Sequence, residues 1–134
     1  MRVYSDTNLI TLFGTNGSGK TRLLMTMQQS VLSGQVMRLG AETLIDKVVT
    51  GVRSRLAIKE LFKHYRKIDT LLIDNLWVLV SRPYVSRTIR ELVEARIANE
   101  LLTVLASDLN FDQWSASQPE MAGLLARGRM AQLS

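Results

Sequence analysis

Eight residues constrain this chain more than any other stretch: Gly14-Thr15-Asn16-Gly17-Ser18-Gly19-Lys20-Thr21. They satisfy the pattern G-x-x-x-x-G-K-[ST] at each fixed position, the pattern of a phosphate-binding P-loop. Gly17 and Gly19 let the backbone curl around an anion at angles and distances that a Cβ would resist. The amides of residues 17–21 can then face the anion, helped by the positive end of the helix that follows. Lys20 has the reach for β- and γ-phosphates, and the Thr21 hydroxyl is the predicted Mg²⁺ ligand. The predicted nucleotide cradle is therefore Gly14, Thr15, Asn16, Gly17, Ser18, Gly19, Lys20, Thr21 and Arg22. A chance Gly/Ser loop would lack the right flanks. Here an apolar strand, Leu9–Phe13, precedes the loop, and Leu23, Leu24, Met27 and Val31 share one helical face after it.

Composition narrows the alternatives. A chain of 134 residues suits a single domain, 1–134, with a substantial core. It has no cysteine, so neither a disulfide framework nor a thiolate metal site can form. His64 is its one histidine, which excludes a catalytic triad and a histidine-based metal site; it reads as a surface or partly packed residue. No 18-residue apolar run and no signal-peptide layout occur, so the expected location is cytoplasmic. Seventeen basic against twelve acidic residues give 17 − 12 = +5, a mild excess compatible with phosphate or nucleic acid.

The remaining pattern alternates strands with helices. After a polar lead-in at 1–7, strand Leu9–Phe13 and helix Lys20–Leu32 flank the loop, and Gly34 is placed to end that helix. Gln35–Leu39 is a second strand. Ala41–Val52 carries Leu44, Ile45, Val48, Val49 and Val52 at helical spacing, and Ile58, Leu61, Phe62 and Tyr65 mark a further amphipathic helix. Thr70–Asp74 is an apolar run of the kind buried on both faces of a parallel sheet. Pro83 opens a helix with Val85, Ile89, Leu92, Val93 and Ile97 on one face, running to about Glu100. Leu101–Ser107 is another strand, 110–119 is polar and irregular, Glu120–Ala126 is a short helix, and Met130–Leu133 a last strand. The fold class is α/β: a parallel sheet of about five strands in three layers, with right-handed crossovers.

Leu71-Leu72-Ile73-Asp74 supplies the second feature of a nucleotide site, an apolar strand ending in an acid. The Asp74 carboxylate would sit at the strand's C-terminal end beside the loop and hold Mg²⁺ through water. A turn or capping acid would read similarly, but the loop upstream favours the metal. Asn75 stands where many P-loop ATPases carry a second carboxylate that acts as general base. Asparagine can orient a water but cannot take its proton, which predicts ATP binding with weak hydrolysis.

The block Phe62-Lys63-His64-Tyr65-Arg66-Lys67-Ile68-Asp69-Thr70-Leu71-Leu72-Ile73-Asp74-Asn75-Leu76-Trp77-Val78-Leu79 resembles the bacterial replication initiators, the DnaA proteins, and their helicase-loader relatives. Leu102-Thr103-Val104-Leu105-Ala106-Ser107-Asp108 is similar to that family's sensor-1 strand, and Leu124-Leu125-Ala126-Arg127 to the segment holding its arginine finger. The resemblance covers about residues 7–134 in order and spacing. It implies a AAA+ core that binds ATP and Mg²⁺ at a subunit boundary, with single-stranded DNA, a replication protein or further copies of the chain as partners. On this resemblance Asp108, with Ser107, senses the γ-phosphate, and Arg127 reaches into a neighbour's site, with Arg129 as its competitor. The family also carries a helical lid and, in initiators, a helix-turn-helix domain; neither is expected within these 134 residues. Its acid at position 75 is missing here.

Three other constellations bear on function. Asn-Gly-Ser-Gly-Lys also occurs in ABC-transporter ATPases, but Leu32-Ser33-Gly34-Gln35 lacks a glycine of their signature and follows the loop too closely. Lys47, Arg53, Arg55 and Lys59, with Lys63, Arg66 and Lys67, form a basic run that the resemblance places against single-stranded DNA; a plain solvated face competes with that reading. Trp77 reads as core or interface packing, Trp114 as a partner contact in a polar loop, and the methionines mostly as core filler. Two functions follow. One is an ATP-controlled assembly switch on DNA or a replication protein, in which Lys20, Asn75, Asp108 and Arg127 are the catalytic set. The other is a hydrolysis-deficient regulatory or adaptor protein that contacts another protein.

Overall fold

The computed structural model describes residues 6–15, 17, 19–30, 34–50 and 55–133. In chain order these form β1 (Asp6–Phe13), α1 (Lys20–Ser30), β2 (Val36–Gly40), α2 (Ala41–Thr50), α3 (Arg55–Lys67), β3 (Thr70–Asp74), a 3-10 helix (Leu76–Ser81), α4 (Pro83–Ala98), β4 (Leu102–Ser107), α5 (Phe111–Ser117), α6 (Pro119–Arg127) and β5 (Gly128–Gln132). The five strands make one sheet in the order β2-β3-β4-β1-β5, and each neighbouring pair is parallel. Parallel strands need helical crossovers, and those helices bury both sheet faces. That is why all five residues of β3 are buried.

Alternation along the strands divides the core in two. Leu9, Phe13, Leu71, Ile73 and Leu105 face a large cluster shared with α2, α3, α4, α5 and α6. Leu12, Leu72, Val104 and Ala106 face a small cluster whose helical cover is α1, through Leu24 with Leu23 and Met27 beside it. Right-handed crossovers produce this inequality. The chain leaves β1 in one direction to reach β2 and returns in the other through β3 and β4, so the first crossover lies on the face opposite the rest. Leu24 is fully buried, and such a side chain contributes about 2 kcal/mol. The helix bearing Lys20 and Thr21 is thus anchored on one small apolar patch.

Several expectations shift. β1 begins at Asp6, inside the predicted polar lead-in, and β5 spans Gly128–Gln132 rather than Met130–Leu133. The predicted helix ends at Leu32 and Val52 lie outside the described residues. The stretch predicted as irregular, 110–119, holds helix α5. The Asn110 side chain accepts from the Gln113 amide at 2.8 Å, and Gln113 Oε1 accepts from the Asn110 amide at 2.8 Å. This reciprocal capping box satisfies two backbone donors and starts a helix that the polar composition conceals. Trp114 on that helix is fully buried, donating from Nε1 to Ser107 Oγ at 2.9 Å, so it is a core residue and not a partner contact. Trp77 is 46 % exposed, which removes the core half of its reading and leaves interface packing. Met121 is buried core and half-buried Met37 and Met27 pack against the large and small clusters, whereas Met25 and Met130 are exposed. Met1 lies outside the described residues. His64 is exposed. No helix among the described residues is long and apolar enough to cross a membrane.

Candidate nucleotide site

The site is built at the C-terminal ends of β1, β3 and β4. The first loop residue is clipped to the sheet, the Gly14 amide donating to the Ser107 carbonyl at the end of β4 (3.2 Å). The chain then turns through Gly17 (φ +90°) and Gly19 (φ +97°), left-handed backbone that side chains rarely adopt. Among the described residues no atom beyond the chain neighbours lies within 4 Å of where a Cβ would stand at either position. That backbone angle favours glycine at both. Asn16 and Ser18, predicted members of the cradle, lie outside the described residues.

The Gly19 carbonyl accepts from the Leu23 amide at 2.9 Å, so helical bonding begins at the loop. The amides of the first α1 turn precede any intrahelical acceptor and remain available to an anion. Lys20 is 6 % exposed. Its ammonium donates to the Gly14 carbonyl (2.5 Å) and the Thr15 carbonyl (2.9 Å) and pairs with Asp108 Oδ1 at 2.8 Å. Thr21 Oγ1 donates to Asp74 Oδ2 at 2.7 Å, and the other Asp74 oxygen accepts from the Asn75 amide at 2.8 Å. Gly17, Gly19, Lys20, Thr21, Arg22, Asp74, Asn75 and Asp108 line one cleft of about 520 Å³, a size suited to a nucleotide.

Thr21 and Asp74 put a hydroxyl and a carboxylate oxygen in contact, the hard donor pair that suits Mg²⁺. Among the described residues no group of three His, Cys, Asp or Glu side chains could hold a metal alone. An ion here would complete its shell with water and phosphate oxygens, as Mg²⁺ does.

The structure brings together Lys20, Thr21, Arg22, Asp74, Asn75 and Asp108, and leaves other predicted residues apart. Arg127 ends α6 outside the cleft lining, its Nη1 3.7 Å from Glu94 Oε2 on α4. Arg129 is exposed on β5, next to Ile10 in the β1 register. Of the basic run, Lys47 is half-buried on α2, while Lys63 and Lys67 are exposed and Arg66 half-buried on α3; none lines the cleft. Arg53 lies outside the described residues, and Arg55 and Lys59 are described only as part of the α3 backbone.

Gln118 and Glu42 escaped the sequence reading, as did the supporting bonds of Ser107. Ser107 accepts from Trp114 Nε1 and from the Leu109 amide, and its hydroxyl donates to the Leu109 carbonyl, fixing the turn that presents Asp108. Gln118 donates from Nε2 to the Leu79 and Val80 carbonyls (2.7 and 3.2 Å) and accepts from Ser86 Oγ, tying the 3-10 helix to α4 and to the α5–α6 junction. Glu42, in the first turn of α2, faces Asn75: Asn75 Nδ2 donates to Glu42 Oε1 at 3.4 Å. Each relies on pairs more than thirty residues apart or on a turn, for which the linear pattern holds no signal.

A five-stranded parallel sheet with a glycine loop after β1 and acids after β3 and β4 defines a P-loop NTPase of the AAA+ kind. More narrowly, the chain belongs to the bacterial DnaA ATPase domain family, which matches residues 3–128. It is 40 % identical over 74 residues to chromosomal replication initiator protein DnaA 2 of Protochlamydia amoebophila, a match covering 53 % of this chain and 16 % of that protein. A second initiator, DnaA of Buchnera aphidicola, is 25 % identical over 105 residues, covering 75 % of this chain and 23 % of that protein. The chain thus spans less than a quarter of either relative's length. In fold it is similar to a replication initiator DnaA bound to AMPPCP and single-stranded DNA (TM-score 0.81, 19 % identity, 95 % of this chain and 40 % of that one). It is also similar to the DnaC helicase loader (TM-score 0.72, 14 % identity, 100 % of this chain and 82 % of that one).

Proposed function

We propose that the cleft binds ATP with Mg²⁺ and that the chain acts as an ATP-controlled assembly module of the replication initiator and helicase-loader kind. One observation carries this reading: the Thr21 hydroxyl meets the Asp74 carboxylate at 2.7 Å beside the Lys20 ammonium, in a chain of the DnaA ATPase domain family. In this reading the loop amides and Lys20 hold the β- and γ-phosphates, and Thr21 and Asp74 hold the metal. Bound Mg²⁺ would neutralise phosphate charge. Asp108, already within an ion pair of Lys20, senses the terminal phosphate, and Arg127 serves a neighbouring copy. The partner is single-stranded DNA or a replication protein. Exposed Lys63 and Lys67 support the DNA contact, and the initiator bound to single-stranded DNA offers the precedent.

A second reading, a nucleotide-dependent adaptor with little hydrolysis, is favoured by Asn75. Its amide side chain offers no proton acceptor of its own.

Calorimetric titration with ATP, with and without Mg²⁺, tests the shared core of both readings. Binding should be saturable and tighter with Mg²⁺. Lys20→Ala should weaken it about tenfold to a hundredfold, the value of a hydrogen bond to a charged group. Absence of saturable binding in the unmodified chain would sink the proposal.

A further inference from the structure

The acid missing at position 75 has a counterpart in space. Gly40 closes β2 in register with Asp74 at the end of β3, so the residues just after β2 stand one strand from the metal acid. Glu42 follows two positions later, in the first turn of α2. Its carboxylate folds back over Gly40: a Cβ built there would fall within van der Waals overlap of Glu42 Oε1 and only 2.6 Å from its Cδ. Glycine at position 40 is therefore what admits that side-chain position. The same Oε1 accepts from Asn75 Nδ2 at 3.4 Å, and Asn75 itself lines the cleft. Asn75 holds a left-handed backbone (φ 57°, ψ 41°) that asparagine tolerates better than other side chains, which sets its amide toward β2.

We propose that Glu42 is the proton acceptor for the water that attacks bound ATP, and that Asn75 positions both the water and the Glu42 carboxylate. The inference rests on the reading of the cleft as an ATP site. In the step, a water lone pair forms the new bond to the γ-phosphorus. The bond from that phosphorus to the β–γ bridging oxygen breaks, its electron pair leaving with ADP, and the water proton passes to Glu42 and then to solvent. Glu42 is exposed, so the proton has an open route out. The chain thus keeps the amide and the carboxylate of a hydrolytic pair, but just beyond the ends of two neighbouring strands instead of one.

The test compares the unmodified chain, Glu42→Gln, and Glu42→Gln combined with Asn75→Asp, each measured for ATP affinity, melting temperature and turnover. The nucleotide recovered from each protein after incubation is also identified as ATP or ADP. Glu42→Gln should bind ATP with unchanged affinity, melt as the unmodified chain does, and lose turnover about a hundredfold or more, with the bound nucleotide recovered as ATP. The double variant, which returns a carboxylate to position 75, should regain most of the lost rate and yield ADP. Should Glu42→Gln melt below the assay temperature, Glu42→Asp, which keeps the charge but withdraws it by one methylene, must show the same loss with its fold intact. Turnover by Glu42→Gln at the unmodified rate overturns the assignment while leaving the ATP site standing. So does an unmodified chain that binds ATP without turning it over, or a Glu42→Gln chain that loses affinity along with rate. An unmodified chain that binds no ATP removes the ATP-site reading itself, and this assignment with it.

Discussion

Arg96 carries a full charge into the core and satisfies it entirely with oxygens. Its side chain is fully buried on α4. Nη1 donates to the Tyr65 and Ile68 carbonyls (both 2.6 Å), Nη2 to the Leu102 carbonyl (2.7 Å) and Nε to Thr103 Oγ1 (2.8 Å). One planar fork thereby closes the end of α3, the turn into β3 and the start of β4. Burial lowers the guanidinium pKa to about 10, and Asp69 opposes the shift. The folded value lies below the unfolded one, so between those values the unfolded chain binds more protons and stability rises with pH; at neutral pH the group is charged in both states. Arg96→Met should cost more than about 3 kcal/mol in urea unfolding, because three carbonyls lose this donor at about 1–3 kcal/mol for each group left unsatisfied. Arg96→Lys should recover little of that, since a point charge cannot span the fork. A loss below about 1 kcal/mol would refute this account of the residue. None of it was visible in the sequence, where nothing sets Arg96 apart from the other charged residues of α4. By contrast Lys20, Thr21 and Asp74 were legible because loop chemistry and strand ends are local, and local pattern is what a sequence displays.

At the scale of elements, α5 shows why short polar helices evade pattern reading. Seven residues are too few to display an apolar stripe, and of the two large apolar residues among them, Phe111 and Trp114, the tryptophan looked like a partner contact in a loop. What holds the helix is chemistry at its first turn, the Asn110–Gln113 box, together with burial of the indole and its bond to Ser107. The tripeptide spacing of the box was present in the sequence and could have been found there. Asn110→Ala should lower stability by about 1 kcal/mol, measured by denaturant midpoint at constant slope, the usual cost of losing such a cap. Because α5 braces the turn that carries Asp108, the same variant should also loosen ATP binding, whereas a cap substitution remote from the cleft would change stability alone. Unchanged stability would mean that Trp114 burial alone fixes the element.

At the scale of the molecule, the parallel sheet follows from strands that alternate with helices, and that alternation was legible in the sequence. The asymmetry was not. That, among the described residues, α1 covers one face while α2 to α6 share the other depends on which strand the chain visits after β1, and periodicity carries no such information. The consequence is that the phosphate loop and α1 sit on the thin side, while Arg127 ends α6 on the thick side and outside the cleft lining. An arginine so placed can serve a neighbouring molecule's nucleotide more readily than its own. Its pairing with Glu94 spans 3.7 Å between two half-exposed side chains, a contact worth at most about 1 kcal/mol. Sedimentation of the unmodified chain should therefore shift to larger species with ATP-Mg²⁺, and further with single-stranded DNA at low salt, the DNA-dependent part falling steeply as salt rises. Arg127→Ala should bind ATP with unchanged affinity yet remain small in its presence, whereas Lys20→Ala should fail at both. An Arg127→Ala chain that assembles as the unmodified one does would pass the finger role to Arg129, and a chain that stays monomeric with ATP and ignores DNA would leave only the adaptor reading.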